Sequence, residues 1–560
     1  PVDRATLALM ELPVGYYRDN FLLVLDHGDS LYGDLLGEEE RAFSAAFRSR
    51  SLAAQRLYVR LISRKGPLFR SDRLRYREIG DVSGPAAELE AVGLLAVDRP
   101  GDLRAAVGLL RRDELLEVLA EEGEGWPSQS IRLPEVREHC LSTWPQERLL
   151  EHLRRRFRVF EPLGVRAVSI YRLLFFGNLW QDLTEFVLSD LGLVRYEAYR
   201  IAPEDRLFST LASLQNTLLL LELASRCRQA ASAGDTDAFR AIAASLPSPE
   251  AAESAGGLRD DILATVGRHL ERTGDAAGAI AIYQQAEGPP SRERQARILG
   301  RLGRREEALA LCRRILEEPA DEDELEFAAR FAPRLERKLF GRTTHLQQPT
   351  RVPTDVLRLS WSDETTVEEA VLEHFRSLGW EGYHTENELW NGLFGLAFWD
   401  VVFMPVRGAF HNRFQRGPRD LFTPRFRHIR REAIEERLTE IRESNRWVER
   451  LRSTYDRCLG IANALVAWDR LSPSMLEAAL ARIPGEHLAL VFDRMAANLG
   501  LHRAGFPDLV LFPPADAMSD GYELLEVKGP GDQLRPNQER WLRFFGEHAI
   551  RARVMRVERA

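Results

Sequence analysis

Apolar residues in the first part of the chain recur at the spacing of an α-helix. Phe43 and Phe47 lie four residues apart and therefore share one helix face. The acidic cluster Glu38 to Glu40 suits a helix start, because carboxylates are favourable at the positive end of the helix dipole. The pattern predicts a helical region over residues 1–80.

The middle of the chain continues this helical pattern and adds a weak internal repeat. Residues 81–125 predict two short helices, PAAELEAVGLLAV and RRDELLEVLAEEG. The pair resembles a SAP module, a small DNA-binding helix–extended–helix unit, and a plain helical hairpin is the alternative. Residues 126–230 keep helical spacing. Within residues 231–341, Gly274 and Gly303 are 29 residues apart, each followed by alanine and bulky apolar residues. This repeat is typical of stacked helical hairpins. We predict a helical array there that braces other domains or binds a protein partner.

The pattern changes towards the C-terminus. Residues 342–370 hold a proline-containing linker and the start of the last domain. Short apolar runs bounded by turn residues then predict strands, namely LVLF from Leu509, YELLEV from Tyr522 and RARVMRV from Arg551. The chain is therefore predicted to be multidomain and mostly α, with an α/β domain over residues 371–560 that contains a helical insertion.

Composition excludes several classes of protein. Of the 560 residues, 44% are apolar and 29% are charged, which rules out a mainly disordered chain. No apolar run approaches the ~18 residues that a membrane helix needs, and the charged first turns are not typical of a secretory signal. The four cysteines form no CxxC pair, as in proteins of a reducing compartment. We expect a cytoplasmic protein without membrane contact.

The net charge of −8 hides two strongly basic segments. Residues 48–77 carry ten Arg or Lys against the single acid Asp72, and residues 407–431 carry eight Arg against Asp420. Phe and Tyr are interleaved with these basic residues. Such runs are often solvated protein faces. They also favour binding of a nucleic acid, because phosphates respond to the local field of a surface.

The chemistry is concentrated in two of the predicted strands. Pro507-Asp508 opens the first, and Glu526-Val527-Lys528 closes the second. Side chains alternate along a strand, so Glu526 and Lys528 share a face, and a hairpin would bring Asp508 beside them. Two carboxylates suit a hard cation such as Mg²⁺ or Mn²⁺, which activates water against a phosphodiester while the lysine stabilises developing charge. A surface hairpin with a plain Glu–Lys pair is the alternative.

These residues carry a resemblance to a known family. The run HRAGFPDLVLF…YELLEVKGPGDQLRPNQERWL is similar to the VRR-NUC domain of the PD-(D/E)xK nuclease superfamily. NELWNGLFGLAFWDVVF, PRDLFTPRFRHIRR and YVRLISRKGPLFR resemble parts of the Fanconi-associated nucleases. The Arg- and Ala-rich composition indicates a bacterial member. The resemblance implies an N-terminal helical DNA-binding region (1–80), a SAP-like module (81–125), a helical connector (126–230), a tetratricopeptide-like array (231–341) and the VRR-NUC domain (371–560).

The resemblance also implies a site for Mg²⁺ or Mn²⁺, with two ions in all. The implied ligands are Asp508, Glu526, the main-chain carbonyl of Val527 and an upstream glutamate. Lys528 would be the catalytic lysine. The upstream glutamate is Glu386 or Glu388, and counting back from Trp399-Asp400 favours Glu386. Asp400 lies in a very apolar predicted helix. An acid in such a helix is more often paired internally than bound to a metal.

Further residues are predicted around this site and along the DNA. Gln538 resembles a glutamine that helps to hold the active site in related nucleases, and a plain position on the helix surface is the alternative. The residues predicted to contact DNA phosphates are Arg503, Lys65, Arg70, Arg73, Arg425 and Arg427. Phosphate contacts of this kind recognise the shape of DNA and not its sequence.

The resemblance implies a metal-dependent, structure-specific nuclease that cuts near 5′ flaps, degrades DNA from 5′ to 3′ and acts in interstrand crosslink repair. Its partner would be branched or flapped double-stranded DNA, engaged by a monomer. Two alternatives remain open, a dimeric resolvase of four-way (Holliday-type) junctions and an inert DNA-binding scaffold. The fused helical domains argue against the resolvase, because they would block a symmetric partner face. The intact PD…ExK set argues against the scaffold.

Overall fold

The computed structural model describes residues 13–124, 132–181, 194–286, 288–341, 352–362, 364–514 and 521–560. The chain divides into two units, one of residues up to 193 with 208–221, and one of residues 194–207 with 222–560. This division is coarser than the segments expected from the sequence, whose finer boundaries stay a prediction. Of the predicted linker, residues 342–351 lie outside the described residues.

The first unit consists mainly of helices, with one small sheet. Its described helices are α1 (Tyr16–Tyr32), α2 (Glu38–Arg48), α3 (Leu52–Ile62), α4 (Ser83–Ala91), α5 (Leu103–Val107), α6 (Arg112–Glu121), α7 (Leu133–Thr143), α8 (Gln146–Arg156) and α9 (Val165–Phe176). Its strands are β1 (Phe69–Arg70), β2 (Leu95–Val97) and β3 (Val159–Pro162), which pair antiparallel in the order β1-β3-β2.

Local signals in the sequence explain much of this unit. Helix α2 begins at the acidic cluster, and the N–H of Gly37 donates to Glu40 at 2.8 Å. Phe43 and Phe47 are buried, as their spacing predicted. The first helix predicted within residues 81–125, over PAAELEAVGLLAV, is wrong at its C-terminal end. Helix α4 ends at Ala91, and Leu95–Val97 is a strand. Pairing of that strand with β3 outweighs its local helical spacing.

The second unit contains the predicted helical array. After the short strand β4 (Arg195–Tyr196), α10 (Leu211–Ala233) begins in the first unit and ends in the second. It leads into α11 (Thr236–Ala244), α12 (Leu258–Arg272), α13 (Ala276–Tyr283), α14 (Ser291–Arg301), α15 (Arg305–Glu317) and α16 (Glu322–Phe340). Gly274 and Gly303 adopt φ of 87° and 79° between the paired helices, a conformation that favours glycine at a helix end. Ala279 and Ala308, also 29 residues apart, are both fully buried. The repeat in the sequence is therefore a repeat in the structure.

The rest of the second unit is the α/β domain with its helical insertion. Its strands are β5 (Thr354–Leu359), β6 (Glu381–His384), β7 (Ile461–Ala462), β8 (Leu509–Phe512), β9 (Glu523–Lys528) and β10 (Ala552–Arg559). Its described helices are α17 (Val367–Ser377), α18 (Glu388–Ala397), α19 (Trp399–Val402), α20 (Arg425–Ile429), α21 (Arg431–Glu443), α22 (Arg446–Cys458), α23 (Pro473–Arg482), α24 (Gly485–Ala497), α25 (Leu499–His502) and α26 (Pro536–Glu547).

Five of these strands form one mixed sheet in the order β5-β10-β9-β8-β6. β10 runs parallel to β5 and β9, whereas β8 runs antiparallel to β9 and β6. The three strands predicted from apolar runs are confirmed to within two residues at each end. β5 begins at Thr354, inside the segment predicted as linker and domain start.

Apolar residues cover both faces of the sheet and leave one end of β8 and β9 polar. Leu509, Leu525 and Val527 pack with α17 on one face. Leu524 and Val510 belong to the larger core on the other face, which includes Trp541 of α26. The predicted fold class, mostly α with a C-terminal α/β domain, is confirmed. No helix among the described residues is long and apolar enough to cross a bilayer.

Candidate active site

The polar end of the β8–β9 hairpin brings the predicted acids and lysine together. Leu509 pairs with Leu525, so Asp508, one residue earlier, lies opposite Glu526, one residue later. The Oδ2 atom of Asp508 accepts a hydrogen bond from the N–H of Val527 at 2.8 Å. The Nζ atom of Lys528 lies 2.6 Å from Oε1 of Glu526. The three side chains share one edge, as strand alternation predicted.

Glu526 is buried without enough hydrogen-bond partners. Glu526 is 0% exposed, and Lys528 is 9% exposed. Within the described residues, neither carboxylate oxygen of Glu526 accepts a well-aligned hydrogen bond, and the ammonium of Lys528 beside Oε1 is its close charge partner. Burial is the main cause that raises the pKa of Glu526 to about 7, and the charge of Asp508 raises it further, against the opposing effect of Lys528. Such a carboxylate is costly unless a cation binds it.

Asp508 is in a similar electrostatic position. Burial raises its pKa above the usual range, while the hydrogen bond from Val527 and the charge of Lys528 work in the opposite direction. Glu368, near the start of α17, adds to the rise, and His384 of β6 opposes it. Neither of these two residues was predicted from the sequence, because each reaches Asp508 through the fold of another element.

Glu386 lies in the loop between β6 and α18, and its backbone is bonded to Asp508. The N–H groups of Thr385 and Glu386 both donate to the main-chain carbonyl of Asp508, at 2.9 and 3.1 Å. Glu386 has φ of 38°, a left-handed conformation that costs a non-glycine residue about 1 kcal/mol and is frequent at functional sites. Its side chain is 55% exposed. The alternative, Glu388, is the first residue of helix α18. Its N–H donates to the main-chain carbonyl of Thr385 and not to that of Asp508.

Asn387 is a residue of this loop that the sequence analysis missed. Its Oδ1 atom accepts hydrogen bonds from the N–H groups of Gly505 and Phe506, at 2.8 and 3.3 Å. Those amides immediately precede Pro507-Asp508. Asn387 therefore ties the loop of Glu386 to the strand of Asp508. Its position between the two candidate glutamates was the only signal in the sequence.

Gln538 has a defined role at the start of α26. Its Oε1 atom accepts a hydrogen bond from the N–H of Arg535 at 3.0 Å, which caps the helix. The exposed Arg535 lies close enough to Glu526 to lower its pKa, against the larger effect of burial. Arg535 was not predicted, and it adds a positive charge at the same edge.

The structure corrects one predicted DNA contact and gives another predicted residue a second role. Arg70 is only 7% exposed, donates to both Glu114 and Asp72, and lies over the ring of Phe157. Buried and held in this way, Arg70 is a structural arginine that offers no free N–H group to a phosphate. Arg427, which is half-buried, forms ion pairs with Glu435 at 2.8 Å and Asp493 at 2.6 Å.

The remaining predicted contacts are exposed. Lys65 and Arg73 lie in the first unit and Arg425 in the second. Arg503 is five residues before Asp508 in the chain. Its guanidinium lies 4.4 Å from the ring centre of Phe422. Asp400 forms an ion pair with Arg437 at 2.9 Å, which is the internal pairing expected for it.

The residues at this edge fit a divalent cation. Among the residues that the structure describes, no three His, Cys, Asp or Glu side chains form a ready-made metal cluster. An incomplete set of hard oxygen donors nevertheless suits Mg²⁺ or Mn²⁺, because these ions keep several waters and bind substrate phosphates. The two buried oxygens of Glu526 without hydrogen bonds are the observation that favours a cation here.

Comparison with protein families gives two matches. The VRR-NUC domain family matches residues 442–559. The family described as FAN1, HTH domain matches residues 15–96. The first match contains the acids and lysine of the β8–β9 hairpin, and the second spans the basic segment of the first unit.

Individual proteins match over most of the chain. The Fanconi-associated nuclease 1 homolog of Pseudomonas aeruginosa is 35% identical over 97% of this chain and 95% of its own length. The homolog of Oryza sativa is 26% identical over 97% of this chain and 62% of its own length. Among solved structures, that of paFAN1 bound to 2nt 5′ flap DNA with a gap has a TM-score of 0.87 at 34% identity, covering 98% of this chain and all of that one. The complex with a 1nt 5′ flap gives 0.85.

Proposed function

Because the chain belongs to the Fanconi-associated nuclease family, we propose that it is a 5′-flap endonuclease with 5′ to 3′ exonuclease activity that acts in interstrand crosslink repair. Membership of the family makes the chain a DNA nuclease. The preference for flaps is supported by two structural neighbours whose descriptions place them on 5′-flap DNA. We infer that this chain acts as a monomer on flapped or branched duplexes, in the cytoplasm of a bacterium.

The observation that carries the proposal is the buried Glu526, without hydrogen bonds, beside Asp508 and Lys528. Asp508, Glu526, the carbonyl of Val527 and Glu386 would hold Mg²⁺ or Mn²⁺, with two ions in all. A bound divalent ion supplies an activated water and neutralises charge on the phosphate under attack. The N–H of Val527 fixes the orientation of Asp508. The ammonium of Lys528 adds a positive charge that opposes the charge developing in the transition state.

Exposed basic residues would hold the DNA against this edge. In this role we place Arg503, Arg425, Lys65 and Arg73, together with Arg535 at the start of α26. Their side chains are long and solvent-facing, which suits contacts with backbone phosphates. Gln538 would act through the helix start that it caps, since it keeps Arg535 near Glu526.

The test is a cleavage panel with end-labelled DNA in Mg²⁺ or Mn²⁺. The 5′-flap duplex should be cut near its junction, faster than a 3′ flap, a blunt duplex or single-stranded DNA, and EDTA should stop the reaction. Equal rates on all substrates would contradict the flap preference. Paired symmetric nicks in a four-way junction by a dimer would favour the resolvase. Tight binding of flap DNA without any cutting would favour the inert scaffold.

A further inference from the structure

The helical array contains a pocket that the nuclease chemistry does not use. It has a volume of about 810 Å³ and lies among residues of α12, α14, α15 and α16. Seven of its eleven lining residues are Arg or Lys, and Glu271 is the only acid. These basic residues are scattered between positions 294 and 338, so no basic run in the sequence indicates them. We call this concavity the array pocket.

The single acid of the array pocket is already occupied. Glu271 forms ion pairs with Arg294, at 2.7 Å, and with Arg301. The exposed side chains of Arg305, Arg334, Arg337 and Lys338 form no ion pair or hydrogen bond with any residue that the structure describes. Like charges held together in a concavity repel one another and raise the local positive potential. An anion would remove this cost.

The floor of the array pocket is apolar and partly aromatic. A Cβ atom on Gly300 would lie 3.0 Å from the ring of Phe331, so the absence of a side chain there allows α14 to approach α16 closely. Leu335 lies beside Phe331 on the same wall. An aromatic floor with an arginine rim suits a nucleotide, because a base or sugar can contact the ring while guanidinium groups bind phosphate in a two-pronged fashion.

Helix α16 connects this pocket to the catalytic domain. In its first half, Glu322 and Asp323 form ion pairs with Arg494 of α24 and Arg540 of α26, at 2.6 and 2.8 Å. α26 is the helix that follows the catalytic strand β9. The array pocket opens about 18 Å further along α16, at 1.5 Å per residue from Asp323 to Leu335. A DNA strand spans about 18 Å in a few nucleotides.

We propose that the array pocket binds backbone phosphates of the DNA substrate. The inference rests on the proposed function, because that function supplies the polyanion. Three of the seven basic residues, Arg294, Arg297 and Arg301, already pair with glutamates. The other four match a chain of phosphodiesters. The strand involved is either the single-stranded flap or a strand of a duplex arm, which share this chemistry.

The test compares two triple variants of equal charge. The pocket variant carries Arg334→Gln, Arg337→Gln and Lys338→Gln. The control variant carries Arg228→Gln, Arg272→Gln and Arg314→Gln, exposed positions of α10, α12 and α15 that do not line the pocket. Affinity for 5′-flap DNA is measured in EDTA over a series of KCl concentrations. We expect the pocket variant to bind about tenfold more weakly at 0.1 M salt, with a salt slope reduced by about 2 to 3, and the control to stay within about twofold of the wild type.

Trimmed substrates identify the strand. One substrate lacks the flap and another lacks one duplex arm. The difference in affinity between the pocket variant and the wild type should vanish on the substrate that lacks the strand bound by the pocket. The cleavage rate at saturating DNA should stay unchanged, since none of these residues belongs to the catalytic edge.

Three results would overturn the inference. The first is an unchanged affinity and salt slope in the pocket variant. The second is an equal loss in the control variant, which would indicate a general effect of charge. The third is loss of binding to a polyglutamate peptide with unchanged binding to DNA, which would assign the pocket to an acidic protein segment. A wild type that cuts no flap but binds duplex DNA through this pocket would contradict the proposed function and keep the inference.

Discussion

A buried ion pair in the first unit and another in the second differ in how completely their hydrogen-bonding groups are satisfied. In the first unit, Arg70 donates to both oxygens of Glu114, at 2.6 and 2.7 Å. In the second unit, Lys528 faces Glu526 at 2.6 Å, and both oxygens of Glu526 lack hydrogen bonds within the described residues. The pKa of Glu114 is lowered to about 2, whereas that of Glu526 is raised to about 7.

The opposite directions have a physical cause. For both carboxylates burial alone would raise the pKa, and for Glu114 the hydrogen bonds from Arg70 and from the N–H of Arg111 outweigh it. Glu526 has no comparable set of donors, and it has Asp508 as a second negative charge nearby. A satisfied pair holds the fold together, whereas an unsatisfied one is ready to bind a cation.

The largest expected effect follows from removing one acid of the unsatisfied pair. Glu526→Gln keeps the shape of the side chain and removes its charge, so cleavage of flap DNA should fall by roughly 10³-fold. The free energy of unfolding of the metal-free protein should stay equal or rise, because a costly buried charge is gone. Cleavage rates and urea unfolding measure the two effects. Full activity in this variant would contradict the assignment of Glu526 as a metal ligand.

The satisfied pair should behave in the opposite way. Arg70→Met leaves Glu114 buried without its partner, which should cost about 3–5 kcal/mol of stability. Folded protein should still cut at the wild-type rate at saturating DNA. The double variant Arg70→Met/Glu114→Leu is the control, and it should recover much of the loss. A large fall in cleavage rate with unchanged stability would place Arg70 at the DNA after all.

Lowering the pH should change the stability contributions of the two pairs in opposite directions. Since the pKa of Glu114 is lowered in the folded state, its stabilisation is present above about pH 4.5 and is lost as pH falls towards 2, about 3 kcal/mol in all. Since the pKa of Glu526 is raised, the metal-free fold loses stability as pH rises from about 4.5 through 7. Urea unfolding of Glu114→Gln and Glu526→Gln across this range checks both signs. Each variant should flatten its own part of the pH profile, and identical profiles would refute the comparison.

The smallest expected effect concerns the loop beside the unsatisfied pair. Asn387→Ala removes the acceptor for the N–H groups of Gly505 and Phe506, so Asp508 and Glu386 should lose their alignment. We expect kcat to fall about tenfold with KM little changed, because the change affects positioning and not grip. Asn387→Asp keeps the acceptor and should restore most of the rate. Equal losses in both variants would show that the hydrogen bonds are not the reason.

The catalytic edge was largely predictable from the sequence, because it depends on local rules. Alternation along β9 places Glu526 and Lys528 on one face, and a short hairpin brings Asp508 opposite. The tie between Glu386 and Asp508 was predictable only as a choice between two glutamates. It depends on a backbone contact between residues 122 positions apart in the chain.

The fate of individual arginines was not predictable. Arg70 lies in the longer of the two basic segments, yet Glu114, 44 residues away, removes it from the surface. Arg334 and Arg337 lie in no such run, and folding places them with Arg305 in one pocket. Burial and pairing of a long charged side chain depend on residues that are distant in sequence, so local charge density is a poor guide to the field of the folded protein.

The most direct measurement is a calorimetric titration of Mn²⁺ into the wild type, Asp508→Asn and Arg70→Met. We predict that the wild type and Arg70→Met bind Mn²⁺ alike, with proton release near pH 7 from Glu526, whose pKa is raised to about 7. Asp508→Asn should lose this binding while remaining folded. Equal Mn²⁺ binding by Asp508→Asn and the wild type would contradict the account, because the unsatisfied pair would then not be the metal site.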